Sequence, residues 1–185
     1  QEEYLRKKIE IYKNHQIEPF LGGQFLEFVF GTYGIAGVGS YFQEAKRLGI
    51  GAVEVSDNVV PLSPSDRREI TQIAVGCGLQ VHGEVGSKHE VTSAEMLIEQ
   101  ANDFFGAGAE VVLVEAAELV EEGEPNRPLI NELATGLDAS RVFFELPGAW
   151  IKGTTTTEVI YLKKFLIDQF GPDVNIANVL PDNIF

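Results

Sequence analysis

The sequence predicts an α/β fold, a (β/α)8 barrel of which six βα units are visible, and three observations lead there. Six short runs rich in β-branched residues alternate with amphipathic stretches, the pattern of a parallel sheet covered by helices. Four glutamates, Glu54, Glu84, Glu115 and Glu145, fall 30, 31 and 30 residues apart at or near the ends of those runs, with Asn175 a further 30 on. A right-handed βαβ crossover takes roughly 30 residues, so these polar groups are expected at one rim of one sheet. The strands also have one apolar and one polar face. An open sheet wound on both sides would be apolar on both, whereas the top layer of a barrel lumen can be polar.

Taken in order, residues 4–14 have helical spacing and lead into a first strand at 17–21. Gly22-Gly23 follows, a pair that lets backbone amides approach a ligand or turns the chain from strand into helix. The second strand, 51–56, places Ala52, Glu54 and Ser56 on one face and Val53, Val55 and Asp57 on the other. Ser63-Pro64-Ser65-Asp66 opens a helix with a capping hydroxyl, a proline at the first helical position and an acid in the first turn. In the third strand, 79–85, Gln80, His82 and Glu84 oppose Leu79, Val81 and Val85. Thr92-Ser93-Ala94-Glu95 reads as a capping box for a helix to about Phe105. Strands at 110–116, 141–146 and 174–179 complete the six, and Gly49, Gly78 and Gly108 stand where a helix must end before a strand begins. The tract from Glu118 to Glu124 reads as a solvated acidic loop, and the one from Gly153 to Thr157 as a loop and helix cap.

A chain of 185 residues is long enough to bury a core without disulfides, and one partial barrel domain is expected over 1–185. A closed barrel needs eight strands and about 250 residues, so two N-terminal βα units and the last helix are expected to lie outside this sequence. Nothing approaches the roughly 18 consecutive apolar residues of a spanning helix, and no signal-peptide pattern opens the chain, which predicts a cytoplasmic protein with no membrane partner. A formal charge of −14 excludes a nucleic-acid binder, whose phosphate contacts need clustered Lys and Arg. The composition is compatible with a homo-oligomer. The single cysteine, Cys77, lies between Gly76 and Gly78 and suits a small buried residue.

Lys88 is the only Lys or Arg between Arg68 and Arg127, and it closes the densest constellation, Glu84-Val85-Gly86-Ser87-Lys88. A lysine there binds an anion or, if desolvated, donates a proton; the structural alternative is an exposed loop lysine paired with Glu84. Glu54, Glu84 and Glu115, on neighbouring strands, are candidate Mg2+ ligands, since Mg2+ takes hard carboxylate oxygens with substrate oxygens and water. Their alternative is a lumen satisfied by ion pairs and trapped water. Gly22, Gly23, Ser56, Asp57, Ser87, Glu145, Asn175 and Asn178 are candidate substrate contacts, the two asparagines serving equally well as turn stabilisers. His15, His82 and His89 show no metal-ligand spacing, and His82 reads as a hydrogen-bonded lumen residue.

Six of these motifs, in order, resemble the phosphosulfolactate synthase family: Gly22-Gly23-x-Phe25-x-Glu27, Glu54-x-Ser56-Asp57, the Glu84 to Lys88 segment, Ala107-Gly108-Ala109 before a strand ending in Glu115, Phe144-Glu145-x-Pro147, and the Gly171 to Asn178 segment. The chain looks like a divergent member. The resemblance implies a (β/α)8 barrel that adds sulfite to phosphoenolpyruvate with Mg2+, giving (2R)-phospho-3-sulfolactate, the first committed step toward coenzyme M. It implies Lys88 as the general acid at C2, with Glu84 beside it in the catalytic set. The departures are Ala117 in Glu115-Ala116-Ala117-Glu118, where the family commonly has arginine, Gln24 in place of a threonine and Asn58 in place of a glycine. Two other readings stay open. One is a non-catalytic barrel acting through protein contacts, since relatives of the family include heat-stress proteins; the other is a different phosphate-binding barrel enzyme such as an aldolase or epimerase.

Overall fold

The structure is a computed structural model and describes residues 1–87, 92–148, 151 and 153–180. The chain forms two compact units, Gln1–Glu84 with Asn102–Glu110, and Val85–Ala101 with Val111–Phe185. Sheet topology follows chain order, with all of the described pairings between the long-range strands parallel.

In the first unit, helix α1 (Glu2–Asn14) precedes strand β1 (Phe20–Leu21), and two helices follow it where the alternation predicts one: α2 (Gly23–Tyr33) and α3 (Ile35–Leu48). Gly34 separates them at φ +63, a left-handed conformation that glycine adopts without a Cβ penalty. Strand β2 (Ala52–Val55) pairs with β1 through Phe20 opposite Ala52, and with β3 (Gln80–Val85) through Glu54 opposite His82. Helix α4 (Pro64–Gly76) starts as the sequence predicts: Ser63 Oγ accepts the Asp66 N–H at 3.1 Å, and the Asp66 carboxylate accepts the Ser63 N–H at 3.0 Å. Val38, Phe42, Val55, Ile70, Ala74 and Val81 have no exposed surface and form the core, each large side chain contributing about 1.5–3 kcal/mol on burial. Ile9, Ala45 and Ile50 form a smaller cluster where α1 docks. His82 is half-buried and meets the Phe20 ring edge-on, centroids 4.9 Å apart. Cys77 is only half-buried, as the C-cap of α4, its N–H donating to Ile73 O and Ala74 O at 3.0 Å.

The second unit holds the start of α5 (Ala94–Ala107), whose residues from Asn102 on belong to the first; the helix opens on Ser93, whose Oγ accepts the Met96 N–H at 3.3 Å, so the cap is one residue later than the Thr92 box predicts, and it ends at Ala107 rather than Phe105. Strand β4 (Val111–Val114) leads into a single helical turn, α6 (Ala116–Leu119). The tract read as a solvated loop is structured. Glu118 is buried, and β5 (Val120–Glu121) pairs antiparallel with β6 (Glu124–Pro125) through Glu122 and Gly123, both at positive φ as a tight two-residue hairpin requires. Helix α7 (Arg127–Gly136) and a 3-10 turn (Ala139–Arg141) then reach β7 (Val142–Glu145), which pairs with β4 and with β8 (Ile176–Ala177) beyond α8 (Thr156–Phe170). Leu97, Val112, Val114, Leu119, Ile130, Leu133, Phe144, Leu162 and Leu166 pack this core. Thr155 caps α8 reciprocally with Glu158, which bears out the cap predicted in the threonine tract.

Candidate active site

In the first unit the carboxyl ends of β2 and β3 gather a connected set of polar groups. Glu54 Oε1 accepts the N–H of Gly23 at 2.8 Å, so the carboxylate meets the first turn of α2, where free amides favour an anion. Gly23 has to be glycine. A Cβ there would collide with Ser56 Oγ and stand 2.8 Å from Ser56 Cβ and 2.9 Å from Glu54 Oε1. Gly22 has open space around it and carries no such requirement.

Glu27 is the residue that composition and spacing do not single out. It is 1% exposed, and its carboxylate accepts four hydrogen bonds: from Ser56 Oγ at 2.5 Å, and from the backbone N–H groups of Asn58, Val59 and Val60 at 3.2, 2.6 and 2.8 Å. Three consecutive amides on one carboxylate fix the loop after β2. That loop then delivers Asn58, whose Nδ2 donates to Glu84 Oε1 at 2.7 Å. One signal in the sequence points to Glu27: it is the only charge in the apolar helix α2. Asp57 stands beside this loop with Arg67 Nη1 at 3.8 Å; burial pushes its carboxyl above the usual range, and the guanidinium only partly offsets that. Burial also pulls the His82 imidazole below its ordinary range, the Glu110 charge opposing it.

In the second unit, Glu115 caps α6, its Oε1 accepting the Ala117 N–H at 3.4 Å, while its own N–H donates to Val85 O at 3.0 Å. Glu118, 4% exposed, accepts the Ser87 N–H at 2.9 Å and the Thr92 N–H at 3.1 Å. Glu145 is buried at the end of β7. A recess of about 240 Å³ opens beside Ala116, Ala117, Pro147 and Thr154. Asn175 is not at the rim. It precedes β8, and its Nδ2 donates to Ser140 O at 3.1 Å and Ala139 O at 3.5 Å, so it ties the 3-10 turn at the amino end of β7. Asn178 takes a left-handed φ of 58, a turn role that asparagine tolerates.

Lys88 lies outside the described residues, with His89. Among the described residues no three His, Cys, Asp or Glu side chains come together as a metal cradle. No helix among the described residues is long and apolar enough to cross a membrane.

Comparison with known proteins adds to this geometry. A family profile described as (2R)-phospho-3-sulfolactate synthase (ComA) matches residues 1–185. The phosphosulfolactate synthase of Methanothermobacter thermautotrophicus is 27% identical over 97% of this chain and 69% of its own length, and that of Methanocaldococcus jannaschii is 27% identical over 97% and 70%. Among solved structures, a phosphonopyruvate hydrolase superposes with a TM-score of 0.53 at 12% identity, covering 86% of this chain and 52% of that one. A phosphoenolpyruvate phosphomutase from Streptomyces platensis subsp. rosaceus gives 0.50 at 15% identity, covering 69% and 47%. The chain spans about half the length of these two solved chains, and at such identities the likeness carries the fold alone: an α/β fold of the barrel type, incomplete in this chain.

Proposed function

The chain belongs to the (2R)-phospho-3-sulfolactate synthase family, and we propose that it adds sulfite to phosphoenolpyruvate to form (2R)-phospho-3-sulfolactate in the cytoplasm, on the way to coenzyme M. The observation that carries this reading is the family match along all 185 residues. The polar set at the ends of β2 and β3 supports it.

Sulfite is already a strong nucleophile, so the protein needs to activate little on that side. Its sulfur bonds to C3, the C2–C3 π pair moves to C2 and delocalises into the carboxylate, and a proton closes C2. Stabilising that enolate-like charge with fixed groups is the main catalytic demand. Lys88 supplies the C2 proton in this reading. Glu84, its orientation set by the Asn58 amide, and Glu54, set against the Gly23 amide, line the substrate site.

Mg2+ is held in most enzymes by one or two protein carboxylates with substrate oxygens and water. Glu54 and Glu84, on adjacent strands, fit that sparse donor set; Glu115, which caps α6, is left out of it. Bound there, Mg2+ would supply Lewis-acid charge to the substrate carboxylate.

Ala117 favours one second reading. It is exposed beside a recess whose lining offers no Lys or Arg among the described residues, which suits a close variant reaction using another nucleophile or enol phosphate.

The test incubates the full chain with phosphoenolpyruvate, sulfite and Mg2+ and follows loss of the enol phosphate absorbance. Turnover is expected, and Lys88→Ala should lower it by about 10²–10⁴-fold, the usual contribution of a general acid. No turnover, together with a ligand-induced thermal shift that Lys88→Ala leaves untouched, would sink the enzyme reading. Turnover only with other nucleophiles or enol phosphates would select the variant.

A further inference from the structure

We propose that Glu27 is a positioning residue that holds Asn58 against Glu84 and so sets the orientation of that carboxylate. The proposal rests on the reading of Glu84 as part of the substrate site. The strands settle only which face it is on: Glu54 on β2 stands opposite His82 on β3, and Glu84, two residues farther along, shares that face. A long side chain at a strand end still has several rotamers open to it. Asn58 restricts them, its Nδ2 donating to Glu84 Oε1 at 2.7 Å. Yet Asn58 lies in the stretch 56–63, which is neither strand nor helix and has no ladder to hold it.

Glu27 supplies the missing hold. Its Oε1 accepts the Ser56 hydroxyl at 2.5 Å and the Asn58 N–H at 3.2 Å, and its Oε2 accepts the N–H groups of Val59 and Val60 at 2.6 and 2.8 Å. The residue is 1% exposed, so water cannot readily replace it, and an unpartnered buried N–H is costly. The base of this clamp is itself fixed. Gly23, four residues earlier on the same face of α2, donates its N–H to Glu54 Oε1 at 2.8 Å and lies so close to Ser56 that a Cβ would stand 2.8 Å from Ser56 Cβ. One helix face thus grips β2 and the loop after it, all within the first unit.

The chemistry explains why the residue is glutamate. Four donors approach two oxygens, and a carboxylate is acceptor-only on both. Glutamine of the same shape can turn its oxygen to Val59 and Val60 and its NH2 to the Ser56 hydroxyl, which accepts as well as donates. The Asn58 N–H then faces a donor. Glu27→Gln therefore releases the one residue that reaches Glu84 and keeps the rest of the loop, a finer cut than truncation would make.

The decisive experiment uses the full chain as wild type, Glu27→Gln, Asn58→Ala and the double variant, with backbone amide exchange read residue by residue by NMR. In the wild type, the Asn58, Val59 and Val60 amides should exchange far more slowly than free peptide, a readout that needs no variant. In Glu27→Gln the Asn58 amide should exchange about tenfold faster or more, as expected when a buried hydrogen bond is lost. Val59 and Val60 should keep their protection, as should Val53 and Val81 in the strands. Turnover with phosphoenolpyruvate, sulfite and Mg2+ is measured on the same samples. kcat/KM should fall by about tenfold or more in each single variant, since a misplaced group near the reacting atoms is costly. The double variant should lie within about twofold of the lower single, because both changes act through one side chain. A Glu27 that only stabilised the fold would lower the unfolding midpoint and leave kcat/KM of the folded protein unchanged. Unprotected loop amides in the wild type, or an Asn58 amide unchanged in Glu27→Gln, overturns the clamp. Losses that multiply in the double variant, or lost protection with unchanged kcat/KM, overturn the positioning role. A wild-type chain with no turnover overturns the enzymatic reading and the catalytic half of this proposal together, and amide exchange still decides the clamp.

Discussion

At the scale of single residues, the two glycines at the start of α2 separate a structural demand from a free position. Gly23→Ala would drive a methyl group into Ser56 and Glu54, and overpacking of this kind costs about 1–3 kcal/mol. Gly22→Ala meets nothing within 4 Å, at an ordinary extended φ of −67, and should change stability by less than about 0.5 kcal/mol. Urea unfolding of the two variants checks the contrast, and equal midpoints would mean that the Glu54 to Gly23 contact is not a close one. Asp57 makes a pH-dependent counterpart. Burial raises its carboxyl above the ordinary 3.8, so the folded chain holds that proton more tightly than the unfolded chain does. The sign follows: stability from this group is full below the unfolded value and is lost as pH rises through the raised folded value. Asp57→Asn removes the titration, so stability relative to wild type should shift in favour of the variant as pH rises from the ordinary 3.8 through the raised folded value. A shift in the opposite direction would mean that the ion pair with Arg67, 3.8 Å away, outweighs burial.

At the scale of elements, α4 and α2 show two ways in which a helix is held. The start of α4 depends on a local device, the reciprocal Ser63 and Asp66 hydrogen bonds, and Ser63→Ala should cost about 1 kcal/mol in thermal or chemical unfolding. Helix α2 depends on packing. Leu26 and Val29 are buried, yet Phe25, Phe28 and Tyr33 on the remaining surface are 64, 62 and 66% exposed. Phe25 reaches across to α3, its ring 5.8 Å from that of Tyr41. Burial pushes the Tyr41 hydroxyl up to about 12, because the phenolate would be desolvated there. In a spectroscopic titration the Tyr41 phenol should ionise near 12, and Phe25→Ala should bring it back toward 10. A Tyr41 phenol ionising near 10 in the wild type would show that α3 does not bury that ring.

At the scale of the whole molecule, the strands were legible because a period of two and a repeat of about 30 residues are properties of the sequence itself. All six predicted strands are present, and Ser63 caps where its motif says. The polar scaffold was much less legible. Glu27 and Glu118 take backbone N–H groups from positions 26 to 33 residues away, and any residue but proline supplies such a donor, so the pairing leaves no trace in residue type. Asn175 kept the interval but stands before its strand instead of after it, since the repeat counts residues and not strand ends. The charge of −14, by contrast, is read directly from composition and carries a consequence for the proposed reaction. Phosphoenolpyruvate and sulfite are anions, and an acidic chain repels them at long range. Raising ionic strength from about 0.01 M to about 0.15 M shortens the Debye length from about 30 Å to about 8 Å and screens that repulsion. kcat/KM for phosphoenolpyruvate should therefore rise severalfold over this range while kcat changes little, measured in a salt that binds no Mg2+. A steep fall would mean instead that cations close to the site govern capture, and Lys88→Ala, assayed at both ionic strengths, would then flatten the dependence.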